Sequence, residues 1–175
     1  MSQALTLHPG FRCATVRSIE VVAARPGPGL LALSYALTGA LHDLHLPPAG
    51  PPGRADELWR RTCFEAFVRP GPGEAYFEFN FAPSRQWAAY RFDFYRAGMR
   101  AADEIAATDI EAHIGGGRFE LTVTLDLPDW PADRPWRLGL TAVIEELNGD
   151  KSYWALAHAP GRPDFHYADG FALEL

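Results

Sequence analysis

Residues 119–127 read FELTVTLDL, in which Phe119, Leu121, Val123, Leu125 and Leu127 alternate without exception with Glu120, Thr122, Thr124 and Asp126. Side chains of a strand point alternately to its two faces. This period of two therefore specifies a half-buried β-strand and excludes a helix, whose apolar positions recur every three to four residues. Shorter runs of the same kind recur at 15–24, 30–37, 42–46, 62–81, 87–95, 110–114, 136–144, 152–157 and 171–175. Pro and Gly punctuate them, as in PGPG at 26–29 and PPAGPPG at 47–53, which leaves little room for long helices. Gly115-Gly116-Gly117 joins two strand patterns and has no helix after it, so it reads as a hairpin turn and not as a phosphate cradle. Only 101–107 and 55–60 carry a hint of helix, one or two turns each. The expected fold is all-β: an antiparallel β-sandwich of roughly nine to eleven strands, built as one domain over residues 1–175.

Composition narrows the partners. The formal charge is −6, Lys occurs once, at Lys151, and no Lys/Arg cluster is present. Nucleic acid and anionic membranes are recognised through basic faces, so neither is an expected partner. The opening residues lack the basic and apolar regions of a secretory signal, and no apolar run reaches membrane-spanning length, which implies a cytoplasmic protein. Cys13 and Cys63 are expected to be reduced thiols, Cys63 as a small buried hydrophobe. The sequence leaves the oligomeric state open.

The hairpin at 62–81 carries carboxylates where a plain structural strand needs none. Glu65 lies between Phe64 and Ala66, Glu78 and Asn80 alternate with Phe77, Phe79 and Phe81, and Trp59 precedes Glu65 by six residues. Pairing Phe64 with Phe79 and Ala66 with Phe77 unites the apolar faces. That register sets Glu65 directly opposite Glu78 and Cys63 opposite Asn80, with Phe67 opposite Tyr76. One reading is a solvated outer face whose acids pair with Arg60, Arg61, Arg85 or Arg91. The other is a site in which carboxylates accept hydroxyl hydrogens beside aromatic rings that cover apolar C–H faces, a combination suited to a sugar.

The segments LWRRTCFEAF, YFEFNFAPSRQWAAYRF and PGRPDFHYADGFALEL together resemble the DOMON-like proteins related to the family 9 carbohydrate-binding modules, over roughly residues 15–175. The likeness is to a stand-alone bacterial branch. It implies a jelly-roll-like β-sandwich that binds a carbohydrate or similar polyhydroxylated ligand without catalysis. Trp59 and Glu65 match the spacing of a site Trp and Glu in those modules, Phe165 matches their second aromatic platform, and Trp154 would be core. Glu78 stands where the modules carry an Arg, and Ala168 where they carry a Pro. The expected ligand-binding set is Trp59, Glu65, Glu78, Asn80, Arg162, Phe165 and His166.

Other chemistries remain open on the residues alone. His42 and His45 fall on opposite faces of a strand, while His158, Asp164 and His166 surround a turn and could converge if it folds back. No spacing resembles a closed zinc motif, and no metal ligands are assigned. A structural calcium is possible, because related sugar modules often hold one, but no loop identifies its ligands. Haem, which DOMON relatives bind through Met and His, is not expected with only Met1 and Met99 available. Ser84 lacks the context of a nucleophile. Two opposed acids could also serve a glycoside hydrolase, although neighbours on one flat sheet do not readily reach a bond from opposite sides. A protein-interaction domain is the remaining alternative.

Overall fold

A computed structural model describes residues 1–175, except for the side chains of Ala107 and Thr108. Thirteen strands follow one another: β1 (Ser2–Leu7), β2 (Val16–Ala24), β3 (Leu30–Gly39), β4 (Gly53–Arg54), β5 (Cys63–Arg69), β6 (Tyr76–Phe81) and β7 (Gln86–Phe92), then β8 (Arg100–Ala101), β9 (Ala106–Gly115), β10 (Arg118–Asp126), β11 (Arg137–Glu145), β12 (Lys151–Ala155) and β13 (Leu173–Glu174). They form one curled sheet in the order β4-β7-β6-β5-β11-β12-β1-β2-β3-β10-β9, with β8 added on β7 and β13 on β11. The chain is all-β, as its alternation requires. The sheet is nevertheless mixed, because the short β4 runs parallel to β7 and so departs from the expected antiparallel pairing throughout.

Strand β1 makes the curl. Its residues Ser2–Leu5 pair with β2, while Thr6 and Leu7 pair with β12, so a single strand belongs to both halves. The halves then face each other across the core. The Phe64 ring of β5 stacks on Phe119 of β10, with centroids 5.4 Å apart, and meets Tyr35 of β3 at 5.2 Å. Alternate residues of each strand supply this core: Leu31, Leu33, Tyr35 and Leu37 from β3, Leu138, Leu140, Ala142 and Ile144 from β11. Trp154 is buried with them, as expected.

The β9–β10 connection is the two-residue turn foreseen at the triple glycine, with Gly116 and Gly117 both at positive φ (59° and 75°), the conformation that matches the twist of a tight hairpin. The helical hint at 101–107 is not realised. Arg54 donates to the carbonyls of Ala102 and Ile105, which holds the segment as a turn between β8 and β9. Around 55–60 the chain makes a single 3-10 turn, Leu58–Arg60, entered through Glu57 at φ 61°. The expected run at 42–46 is another 3-10 turn, Leu41–Asp43, followed by one bridge from Leu44 to Glu146.

At the start of β2 the register against β3 slips between Val16 and Ser18, and Gly39 fits into the resulting bulge at φ 152°. A Cβ there would lie 2.1 Å from the Thr15 carbonyl oxygen and 3.0 Å from Val16 Cα, both backbone atoms that cannot swing aside. Gly39→Ala should therefore cost about 2–4 kcal/mol in urea unfolding. A loss below about 0.5 kcal/mol would show that the bulge can relax.

Candidate functional site

The hairpin of β5 and β6 is buried on both faces, not on one. Phe64, Ala66 and Val68 point inward with Phe77, Phe79 and Phe81, and the opposite side of the same strands carries Cys63, Glu65, Phe67, Tyr76, Glu78 and Asn80, all buried as well. The solvated-face reading is thereby overturned. Its proposed arginines are engaged elsewhere: Arg60 pairs with Glu57, Arg61 with Glu145 and Arg85 with Glu111, while Arg91 lies over the Phe77 ring.

The register also differs from expectation by two residues. Phe64 pairs with Phe81, Glu65 with Asn80, Ala66 with Phe79 and Phe67 with Glu78. A shift of two keeps every side chain on its predicted face, so parity cannot detect it. It opens the connection to a loop over residues 70–75, where Pro70 and Pro72 have no N–H to offer a ladder. Glu65 and Glu78 are consequently diagonal neighbours, on the order of 7–8 Å apart at their backbone positions instead of directly opposed.

What covers this polar side is the chain after β12 together with the β7–β8 loop. Between them lies a pocket of about 380 Å³, toward the small end of the range for small-molecule sites. Glu65, Phe67 and Glu78 form part of its lining from β5 and β6, Phe92 and Val143 add apolar surface, and Tyr153 enters from β12. Trp59 arrives on the 3-10 turn, edge-on to Tyr90 at 5.7 Å. Pro163, Phe165 and His166 close one side, and Arg96 and Met99 the other.

One ion pair fastens the two covering segments together. Asp164 Oδ1 accepts from Arg96 Nη2 at 2.7 Å and Nε at 3.2 Å, and Asp164 Oδ2 accepts from the Tyr95 hydroxyl at 2.6 Å. Burial alone would raise the Asp164 carboxyl; the hydrogen bonds from Tyr95 and Arg96 outweigh it and leave the group below its ordinary range. Tyr76 joins the same structure, accepting the Arg96 amide at 3.2 Å and sharing a hydrogen with His166 Nδ1 at 2.7 Å. Tyr76 donating to Nδ1 leaves the proton on Nε2, which faces Glu78 Oε2 at 3.7 Å, beyond hydrogen-bond distance. His166 is held neutral, its pKa lowered to about 4 by burial and by the nearby Arg96 charge.

The acids respond to the same dryness in the opposite sense. Burial first, and then the neighbouring Glu78 charge, raise Glu65 well above the usual carboxylate range, against opposing bonds from Thr141 and Cys63. Glu78 is raised to about 7 by burial, in spite of the amide of Asn80 donating to its Oε1 at 2.8 Å and the positive charge of Arg96. Thr141 donates to Glu65 Oε2 at 3.2 Å, whereas Glu65 Oε1 is buried without a hydrogen-bond partner.

No family model matches the chain, and no curated protein matches it in sequence. A solved structure does. It is the crystal structure of a "putative carbohydrate-binding protein" from Bacteroides uniformis ATCC 8492, superposing with a TM-score of 0.66 at 13% identity over 95% of this chain and 82% of that one. At that identity the likeness establishes a shared fold.

Of the seven expected site residues, Trp59, Glu65, Glu78, Phe165 and His166 line the pocket. Asn80 is fully buried beside it and reaches it through its bond to Glu78. Arg162 is exposed and lies outside the lining. Arg96 and Tyr153 were not anticipated. Tyr153 had a signal, since it alternates with the core residue Trp154 and so must face the other side; Arg96 depends on an aspartate 68 residues away, which no local pattern announces. His158 does not converge on His166: it stacks edge-on against His8 at 4.9 Å and contacts the Thr6 carbonyl. Among the described residues no three His, Cys, Asp or Glu side chains come together as a metal site. Met99 and His166 both reach the pocket, where His166 Nδ1 is bonded to Tyr76 and Nε2 stands 3.7 Å from Glu78. No helix among the described residues is long and apolar enough to cross a membrane.

Proposed function

We propose that this protein binds a carbohydrate or similar polyhydroxylated ligand in the Glu65–Glu78 pocket without transforming it, as one jelly-roll-like β-sandwich domain of the DOMON type. The observation that carries this reading is a single one. Two strands, a 3-10 turn and the chain after β12 bring aromatic rings, carboxylates and a neutral imidazole to the same small cavity. Trp59 and Phe165 serve as the apolar platforms, Glu78 and Glu65 accept hydroxyl hydrogens, and the His166 Nε2 hydrogen is available to a ligand oxygen. Asn80 fixes the orientation of Glu78. The description of the Bacteroides structure supports the same assignment. A non-catalytic role also suits two acids that stand on adjacent strands of one sheet face, since neither is placed across a bond from the other.

Isothermal calorimetry against a panel of mono- and oligosaccharides tests the proposal. At least one sugar should give saturable heat, and Trp59→Ala or Glu65→Gln should weaken it by tenfold or more, about 1.4 kcal/mol. Silence across the panel, or binding indifferent to both substitutions, would remove the assignment.

A further inference from the structure

The pocket contains more negative capacity than its own residues neutralise. Glu65 and Glu78, 2% and 5% exposed, line it together, and the cations around them are already committed. Arg96, the guanidinium in the lining, is bound through two nitrogens to Asp164. Arg61, below Glu65's neighbour strand, is paired with Glu145. His166 approaches Glu78 only to 3.7 Å, and Glu65 Oε1 lies within hydrogen-bond distance of no donor, the weakly donating Cys63 thiol being its neighbour. The remaining titratable groups around the pair, Cys63 and Tyr35 near Glu65 and Tyr76 and Tyr90 near Glu78, are neutral when protonated and supply no positive charge. An unpaired buried carboxylate is costly, and the pocket is lined by the aromatic residues Phe67, Phe92, Tyr153 and Phe165, a residue type that favours a cation over an anion.

We infer that the ligand brings the missing cation: an amino sugar whose protonated amine sits on Glu78, with Glu65 behind it and the aromatic walls around it. The sugar ring rests on the function proposed above, whereas the ammonium rests on the charge inventory of the pocket. A neutral sugar could occupy the lone pairs with hydroxyl hydrogens but would leave the site holding its protons. An ammonium forms charge-assisted hydrogen bonds and takes the place of one such proton, which departs to solvent. The balance is simple: ammonium plus protonated site gives the complex plus a free proton. Because the empty Glu78 carboxyl titrates at about 7, binding near neutrality releases a fraction of a proton per complex.

Calorimetry with glucosamine, glucose, N-acetylglucosamine and cyclohexylamine, each in two buffers of different ionisation enthalpy on the acid side of neutrality, where the glucosamine amine is itself protonated, separates the claims. Glucosamine is expected to bind at least tenfold tighter than glucose or N-acetylglucosamine, with proton release, and Glu78→Gln should erase the preference. The proton count on the unaltered protein gives the answer independently should that variant fold poorly. Neutral sugars binding as tightly as glucosamine overturn the inference and leave the carbohydrate assignment standing. Cyclohexylamine binding with proton release while every sugar fails would overturn the carbohydrate assignment and with it the sugar ring of the inference, keeping only the ammonium on Glu78. No heat from any of the four overturns both.

Discussion

Glu78→Gln is expected to make the protein more stable above neutral pH, by on the order of 3 kcal/mol near pH 8, while changing little near pH 4. The sign follows from the direction of the shift. Burial raises Glu78 from 4.5 to about 7, so the folded protein retains a proton that the unfolded chain has already released. Between those two values stability must fall as pH rises, at up to about 1.4 kcal/mol per pH unit, and it levels off above the upper one. Glu65 is displaced the same way by burial and by the Glu78 charge, so the slope continues through it, and the pair releases its protons as a unit. Glutamine keeps an oxygen that can accept from Asn80 but never ionises, which removes both the desolvation cost and the repulsion felt by Glu65. Urea titrations of the two proteins from about pH 4 to about pH 9 measure the difference. Parallel stability curves would mean that the acids are not dry in solution. The expected stabilisation also identifies the acids as costly to the fold, which is the usual mark of groups kept for binding.

Phe64→Ala is expected to produce the larger loss, about 3–5 kcal/mol, again by urea unfolding. Its ring is fully buried between Phe119, stacked with an interplanar angle of 16°, and Tyr35. Those contacts come from β10 and β3, so the residue joins the two halves of the curl and cannot be replaced by movement within one of them. Tyr35 does a second task here, donating across the core to the Glu65 carbonyl at 2.8 Å. A cavity at Phe64 thus slackens the support directly beneath the pocket floor. A loss below about 1.5 kcal/mol would show that the halves can collapse to fill the space.

These two residues show what was and was not legible in the sequence. Phe64 and Glu65 were assigned to opposite faces by alternation alone, and that assignment holds. Local period is set by backbone geometry, which acts within a few residues. The pairing partner is a different matter. Whether Phe64 meets Phe79 or Phe81 is decided by the loop and by packing against β11, neither of which alters the alternation. Strands β4 and β8 are illegible because two residues carry no period, and β1 because its run SQALTL is short and has few large apolar residues, even though Pro9 and Gly10 close it. The site was legible where its residues share the hairpin or fall in segments whose resemblance to sugar-binding modules singled them out, as with Trp59 and Phe165. It was illegible where one chain segment is held against a distant one, as Arg96 is by Asp164.

The double allegiance of β1 has a consequence for how the pocket comes into being. Thr6 and Leu7 pair with Ala155 and Trp154, the first of these pairs spanning 149 residues, so the seam closes only after that whole stretch has emerged. Contacts of such long sequence separation cost loop entropy before they return anything, and they tend to be among the last to form. Tyr153, a wall of the cavity, sits on the strand that this seam secures. Possession of a complete pocket is therefore a late event in the life of the molecule, and a ligand captured there reports that β1 and β12 have met.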